Sequence, residues 1–335
     1  MCNIAGYLGN RQAAPILLEM LRRQQPYDGD MSTGVATIHE GKLYVRKVVG
    51  DVDALIRQTD VLDLPGTIGI AHTRPGGGDP AHPFHPFANN DGDMALVTNG
   101  NAPTTRYIPR CREAIDMLIG EGYTFREKTL ESGTIFPEAR ANMIDYYMKH
   151  GKTVTEALTL ACADFYSDNV TVMITEKCPE QINVLRITRP MNVIQENGEV
   201  FMATCRYGFP EELRSNPMML PLFNACVLTR QGVTITPDRM DMEPVAEMTP
   251  YTYAESYRRI EGLLKSEKAP LFFDQLEYAL DEMRDLWPGD HTCVQHARLV
   301  YDLLWQFDQE GRLKRELRVQ QIKDGPRHRW YFSLK

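Results

Sequence analysis

The feature that most constrains the fold is a cysteine at position 2, directly before an apolar segment. The residues that follow it end at Gly9 and predict a short strand, which would hold Cys2 at the edge of a sheet. If Met1 is removed, Cys2 carries a thiol and a free α-amine. A thiol is a good nucleophile, and an α-amine titrates at roughly 7.7–8.0, so it can accept and return a proton near neutrality. The alternative is that Cys2 is a small apolar residue in a strand.

Length and composition indicate a soluble globular chain. With 335 residues, the chain is long enough for one large and one small domain. A net charge of -8 argues against a protein that binds nucleic acid or a membrane surface over its whole length. No apolar run approaches the roughly 18–20 residues that span a bilayer, and no basic segment followed by an apolar one indicates a signal peptide. We therefore expect a cytoplasmic protein without a membrane segment.

The cysteines do not form a metal or disulfide pattern. There are 7 of them, without a C-x-x-C motif or a paired Cys/His spacing. An odd number without short repeated spacings is typical of a reducing compartment. Zinc sites in proteins need the close ligand pairs that are missing here. We therefore expect neither a metal site nor a cofactor.

Hydrophobic periodicity predicts strands, then helices, then strands again. An amphipathic helix is predicted near 13–25 and three more near 105–121, 134–149 and 153–165. Strands are predicted at 33–39, 43–49, 67–71, 94–98, 170–176, 182–187, 192–195 and 200–203, with a hairpin at 226–236. This order favours two antiparallel sheets covered by helices, an α+β architecture.

The C-terminal part is predicted to be a separate small domain. Residues 237–250 are rich in proline, so we predict domains at 1–245 and 250–335. Three helices near 252–265, 271–286 and 291–309 precede a basic hairpin, an order typical of winged-helix modules. Such a hairpin could contact a phosphate backbone; a solvated face or a dimer surface is the alternative.

Three sequence features suggest one chemistry. They are Cys2, the segment His72-Thr73-Arg74 at one strand end and Asn99-Gly100 at another. An asparagine amide and a neighbouring backbone N–H can stabilise an oxyanion, and a glycine lets the backbone approach closely. An arginine fork can bind a carboxylate. The set predicts acyl transfer from an amide that carries a carboxylate, of which glutamine is the obvious example. Singly, Arg74 could be a surface charge and Asn99-Gly100 a hairpin turn.

These residues resemble those of a known family. The matching segments are Cys2 to Gly6, His72-Thr73-Arg74, His85-Pro86-Phe87 and 96–101. Over about residues 2–215 the chain resembles the class II glutamine amidotransferases, whose catalytic domain is an Ntn hydrolase. It is similar to the glutaminase domain of glucosamine-6-phosphate synthase and, in the His-Pro-Phe segment, to glutamate-synthase-like amidotransferase subunits.

The resemblance implies a four-layer αββα fold and a set of roles. By position, Cys2 would be the nucleophile and its amine the base, and Asn99 with Gly100 would form the oxyanion hole. Arg74 would bind the α-carboxylate of glutamine. The substrate-binding residues expected beside it are Thr73, His85 and Glu131.

Four departures from the family pattern concern the substrate site. Asn3 stands where the family has glycine, Asp28 where it has arginine, and Pro75 with three glycines follows the His-Thr-Arg segment. The family aspartate that pairs with the α-amine of glutamine corresponds to Gly133, so Glu131 is the candidate replacement. We therefore expect altered or relaxed preference between glutamine and related amides.

The length of the predicted small domain bears on where released ammonia would be used. Residues 250–335 are too few for an ammonia-using synthase domain and contain no phosphate-binding glycine motif. We expect the acceptor chemistry, if any, on a separate partner subunit, and we expect a homo-oligomer. The alternative function is a sensor that has lost catalysis and whose C-terminal domain binds nucleic acid or a protein.

Overall fold

The structure is a computed structural model of the chain. It describes residues 2–75, 84–100, 108–126, 136–241, 248–266, 270–282, 284–286, 295–322 and 325–335.

The described residues form strands and helices in alternating blocks. The strands are β1 Asn3–Leu8, β2 Ser32–His39, β3 Lys42–Val49, β4 Ile68–Arg74, β5 Phe87–Ala88, β6 Met94–Gly100, β7 Asn169–Thr175, β8 Ile182–Arg186, β9 Asn192–Glu196, β10 Glu199–Ala203, β11 Met218–Met219, β12 Asn224–Thr229, β13 Gly232–Arg239, β14 Leu271–Phe272, β15 Leu313–Ile322 and β16 Gly325–Leu334. The helices are α1 Ala13–Gln24, α2 Val52–Gln58, α3 Ile108–Gly120, α4 Phe136–Lys149, α5 Val154–Asp164, α6 Pro250–Lys265, α7 Phe273–Asp281 and α8 His296–Gln309.

Local sequence signals explain several element ends. At the start of α5 the Thr153 hydroxyl accepts from the Glu156 N–H, and the Glu156 carboxylate accepts from the Thr153 N–H, which together form a capping box. The β2–β3 turn has positive φ angles at Glu40 and Gly41, as a tight hairpin requires. Helix α2, which periodicity did not predict, begins at a side-chain cap from Asp51.

Two antiparallel sheets form the centre of the molecule. One has seven strands in the order β11-β9-β10-β1-β4-β2-β3, and the other has six in the order β13-β12-β8-β7-β6-β5. Apolar side chains from both sheets pack into one core between them. Helices α1 and α2 pack on the outer face of the first sheet, and α3, α4 and α5 on the outer face of the second. The predicted four-layer αββα fold is confirmed.

The C-terminal module, residues 250–335, contains the predicted helices and hairpin. Strand β14 adds to the hairpin, so that β14, β16 and β15 form a small sheet. Its core also includes Tyr27, Cys205 and Tyr207 from the first part of the chain. Tyr27 stacks on Phe332 and lies against Tyr301. The module is therefore packed onto the first domain, while the boundary between 245 and 250 stays a prediction.

Candidate active site

The alternation of side chains along strands places the predicted residues on one face. In β1, Ile4 and Leu8 point into the core between the sheets, and Cys2 has the same parity. In β4, Ile68 and Ile70 point into the same core. His72 and Arg74 therefore lie on this face of the strand as well.

The second sheet contributes Asn99 by the same rule. In β6, Ala95 and Val97 point into the core between the sheets, so Asn99 has the parity of that face. Asn3 pairs with Thr73 across β1 and β4, which puts Cys2 beside the end of β4. The structure therefore brings Cys2, Arg74 and Asn99 to one edge of the sandwich.

His72 connects the two sheets at this edge. Its Nε2–H donates to the Thr98 carbonyl oxygen at 2.9 Å, and its ring lies 4.1 Å from the His85 ring. Burial and the nearby Arg74 lower the pKa of His72 to about 3, and burial with His72 holds the pKa of His85 well below its usual value. Both imidazoles are neutral at pH 7. The sequence indicates only that His72 belongs to the His72-Thr73-Arg74 segment. Its contact between the two sheets follows from the structure.

The end of β6 has the features of an oxyanion-binding strand. Asn99 is 1% exposed, and its Nδ2 donates no hydrogen bond within the described part of the chain. Gly100 has a φ of 148°, and an added Cβ there would lie 2.1 Å from the Asp168 carbonyl oxygen. Only glycine fits this strand end.

Among the described residues, Arg74 stacks on an aromatic ring and pairs with no carboxylate. Its guanidinium carbon lies 3.9 Å from the centroid of the Phe84 ring. Its Nε has no hydrogen-bond partner among the described residues. A stacked guanidinium keeps its in-plane donors for a ligand carboxylate.

Thr73 points to the opposite face of β4 from Arg74. Its hydroxyl donates to the Gly29 carbonyl oxygen and lies 3.1 Å from the Thr33 hydroxyl. These contacts hold the loop between α1 and β2. The predicted substrate-binding role of Thr73 stays a prediction.

The departure at Asp28 has a partner elsewhere in the chain. Asp28 is buried and forms ion pairs with Arg327 and Arg329 of β16. Its carbonyl oxygen accepts from Nδ2 of Asn3, the other departure near Cys2. The C-terminal hairpin thus places two arginine side chains against this loop.

A second buried charge cluster was not found from the sequence. Arg189 pairs with Asp168 at 2.5 Å and with Glu277 of α7, and the His296 Nε2 lies 2.9 Å from a Glu277 carboxylate oxygen. Burial opposes the charge on Arg189, but Asp168, Glu277 and Cys2 raise its pKa. The four residues are separated widely in sequence, so no local pattern could reveal the cluster.

The basic hairpin differs from the surface expected of a nucleic-acid-binding wing. Arg327 and Arg329 are buried against carboxylates of other elements. Three further arginines pair with acidic side chains within the module: Arg312 with Glu261 and Glu310, Arg315 with Asp308, and Arg318 with Glu316. The predicted positive face is largely neutralised, so the nucleic-acid-binding alternative is not favoured.

Some predicted residues lie outside the described ranges. They include Glu131, Gly133 and the glycines after Pro75. Within the described ranges, no group of three or more His, Cys, Asp or Glu side chains is placed to hold a metal ion. In the same residues, no helix combines the length and the apolar character needed to cross a membrane.

Sequence relatives are aminotransferases that act with glutamine. The chain is 34% identical over 206 residues to glutamine–fructose-6-phosphate aminotransferase (isomerizing) of Caldanaerobacter subterraneus, covering 61% of this chain and 31% of the relative. It is 31% identical over 321 residues to the protein of the same name from Chlorobaculum tepidum, covering 93% of this chain and 49% of the relative. The chain thus spans a third to a half of the length of these relatives. No protein-family model matches it.

Solved structures share the fold. The glutamine phosphoribosylpyrophosphate amidotransferase of B. subtilis aligns with a TM-score of 0.59 at 16% identity, over 75% of this chain and 52% of that one. A structure described as the allosteric regulatory enzyme of purine biosynthesis aligns with a TM-score of 0.61 at 15% identity, over 80% of this chain and 59% of that one. The four-layer sandwich and the sequence relatives agree: the chain carries a class II glutamine amidotransferase domain with the Ntn-hydrolase fold.

Proposed function

We propose that the protein hydrolyses the side-chain amide of glutamine, or of a related amide that carries a carboxylate, and releases ammonia. Cys2 is the nucleophile after Met1 has been removed. The observation that supports this most is the shared edge of Cys2, Arg74 and Asn99, where the Asn99 amide has a hydrogen to donate and Arg74 has no carboxylate partner among the described residues.

The chemistry follows from these groups. The α-amine of Cys2 takes the thiol proton, and the sulfur attacks the amide carbon. The electron pair of the carbonyl moves to oxygen, where Asn99 and the Gly100 N–H donate hydrogen bonds. The protonated α-amine then gives this proton to the amide nitrogen as the C–N bond breaks, and ammonia leaves. Water attacks the resulting thioester and releases the carboxylic acid and the thiol.

Substrate orientation is assigned to Arg74. Its fork binds the α-carboxylate, which fixes the amide carbon near Cys2. His72 and His85 remain neutral and hold the two strand ends together, so neither is the base. Glu131 stays the candidate for the α-amine of the substrate.

The acceptor of the ammonia is a further part of the proposal. The relatives are about twice as long as this chain, and residues 250–335 hold a small module of helices and a hairpin. We propose that an acceptor domain or a separate partner subunit uses the ammonia. A homo-oligomer and a cytoplasmic location remain part of this proposal. The cysteines of the described chain, all of them free thiols, are compatible with a reducing compartment.

Ammonia release by the purified protein tests the proposal. We expect release from glutamine by the wild type and none by Cys2→Ala, because only Cys2 combines the thiol with the α-amine that serves as its base. Arg74→Gln should raise KM by roughly tenfold to a hundredfold, since a charge-assisted contact is lost. Arg110→Gln, at a surface ion pair with Asp164, is the matched control. Intact mass shows whether Met1 is absent.

Two results contradict the proposal. Release that persists in Cys2→Ala would show that another group is the nucleophile. A wild type that has lost Met1 but releases no ammonia from glutamine, asparagine or other carboxylate-bearing amides would leave the site without this activity.

A further inference from the structure

The loop between α1 and β2, residues 25–31, contacts the residues that flank the proposed nucleophile. The Asn3 amide donates to the Asp28 carbonyl oxygen, and the Met31 N–H donates to the Arg74 carbonyl oxygen at 3.0 Å. Gly29 fits so closely that an added Cβ would lie 2.9 Å from the Thr73 carbonyl oxygen. The position of this loop therefore determines where Asn3 and Arg74 lie.

The C-terminal hairpin holds the same loop from the other side. Arg327 binds Asp28 through one guanidinium nitrogen and Asp30 through another, the latter at 3.0 Å. The His328 N–H donates to Asp30 at 2.8 Å, and the side chains of Arg327, Asp28 and Asp30 are all at most 5% exposed. A buried charge that loses its partner is strongly destabilising, so these contacts fix the loop firmly.

A backbone hydrogen bond also joins the hairpin to this loop. The Trp330 N–H donates to the Pro26 carbonyl oxygen at 2.7 Å. Arg329 reaches Asp28 and also pairs with Asp274 at 3.4 Å. Loop 25–31 thus lies between the strands that carry Cys2 and Arg74 and the strand β16 of the C-terminal module.

A second contact of the module reaches the other side of the site. Glu277 of α7 and His296 of α8 enclose Arg189 together with Asp168. The Asp168 carbonyl oxygen packs directly against Gly100. Burial opposes the charge on Glu277, but Arg189 and the His296 hydrogen bond lower its pKa. Glu277 is therefore an anion, and its ion pair holds Arg189 beside Asp168, next to the Gly100 strand end.

We propose that the C-terminal module is a built-in part of the amidotransferase site, in which Arg327 is a positioning residue for Cys2 and Glu277 is a positioning residue for the Gly100 strand end. The proposal rests on the proposed function above. Arg327 sets the Cys2 strand end through loop 25–31. Glu277 acts on the Gly100 strand end through Arg189 and Asp168.

The test uses the full-length chain and two readouts. The kcat and KM for ammonia release report on turnover, and the rate of Cys2 alkylation by iodoacetamide reports on the nucleophile without turnover. We expect Arg327→Gln to lower kcat and the alkylation rate by roughly tenfold or more, because small displacements of a reacting group are costly. Arg327→Lys should restore part of both. Arg318→Gln, at a surface ion pair of the same hairpin, should change neither.

Glu277→Gln provides a readout that a purely structural role would not move. It removes the charge that pairs with Arg189, which in turn pairs with Asp168 beside the Gly100 strand end. Alkylation of Cys2 forms no oxyanion, whereas amide hydrolysis needs the donors at Asn99 and Gly100. We therefore expect kcat to fall by roughly tenfold while the alkylation rate stays at the wild-type value.

The results distinguish a failure of this positioning proposal from a failure of the proposed function. A folded Arg327→Gln with wild-type kcat and alkylation rate would overturn the role of Arg327. A folded Glu277→Gln with wild-type kcat would overturn the role of Glu277, and this nearly isosteric variant carries the test if Arg327→Gln does not fold. Should the wild type release no ammonia from any amide, the proposed function fails, while the alkylation rates still show whether the module positions Cys2.

Discussion

At the scale of single residues, the site depends on groups whose charge is suppressed as well as on those that react. His72 and His85 are buried beside Arg74, and a second positive charge there would have little compensation. Their neutral rings instead hold the ends of β4 and β6 together, since the His72 Nε2–H reaches the Thr98 carbonyl next to Asn99. The position of the proposed oxyanion donor thus depends on a histidine that takes no part in proton transfer.

Stability should fall as the pH is lowered through the range in which free histidine titrates. The folded pKa of His72, about 3, is below the unfolded value of roughly 6.5, so between these values the unfolded chain binds the extra proton. The stabilising effect is complete above about pH 6.5 and decreases by about 1.4 kcal/mol per pH unit below it. Urea unfolding of the wild type and His72→Gln between pH 5 and 7.5 should show a shallower dependence in the variant.

The exposed His39 supplies the comparison for this measurement. Its side chain is 45% exposed beside Glu40, so His39→Gln should keep the wild-type pH dependence of unfolding. If His72→Gln and the wild type lose stability in parallel, the buried neutral state of His72 contributes nothing measurable.

At the scale of secondary-structure elements, the end of β6 contributes to the site and the start of α5 contributes to stability. The end of β6 is specialised for the site, because Gly100 adopts a positive φ against the Asp168 carbonyl oxygen. The start of α5, in the outer helical layer, serves stability alone through its reciprocal cap between Thr153 and Glu156. Variants of this cap should therefore separate folding from activity.

Thr153→Ala should reduce stability without affecting ammonia release. Loss of an N-cap side chain costs about 1 kcal/mol, and α5 packs in the helical layer away from Cys2. Chemical denaturation should show the lower midpoint, and kcat and KM should stay at wild-type values. Lys152→Ala, one residue before the cap and exposed, is the control. A large fall in kcat for Thr153→Ala would mean that α5 communicates with the site.

At the scale of the whole molecule, the C-terminal module belongs to the core of the protein more than to its periphery. Tyr27 and Tyr207 of the first domain lie in the same apolar cluster as α8 and β16, and the Tyr207 ring contacts Trp305 of α8. Five arginines of the hairpin region pair with carboxylates of this chain. The three helices and the hairpin thus pack against the αββα sandwich.

The protein should not bind duplex DNA. Binding that depends on phosphate contacts needs unpaired lysine and arginine side chains, and five arginines of the hairpin region pair with carboxylates: Arg312, Arg315, Arg318, Arg327 and Arg329. A gel-shift titration at about 50 mM salt, where electrostatic binding is strongest, should show no complex with duplexes of mixed sequence. A complex that weakens steeply with added salt would contradict this and revive the regulator hypothesis.

The sequence by itself determined the layers and the proposed reacting groups. Period-two and helical patterns placed nearly all strands and helices of the αββα fold within a few residues, because each pattern is local. Cys2, Arg74 and Asn99 with Gly100 followed from the chemistry that their side chains allow. The same local information could not show that Thr73 points away from Arg74's face, since that follows only from strand parity relative to the core.

Only the tertiary structure decided how distant charges combine. Asp28 stands where the family pattern has arginine, and its buried carboxylate pairs with Arg327, which is 299 positions later in the chain. Arg189, Asp168, Glu277 and His296 come from separate elements and meet in one buried cluster. Ion pairs between distant segments leave no periodic trace in the sequence. Burial makes each of these charges dependent on its partner, so the fold as a whole determines what the local motif cannot.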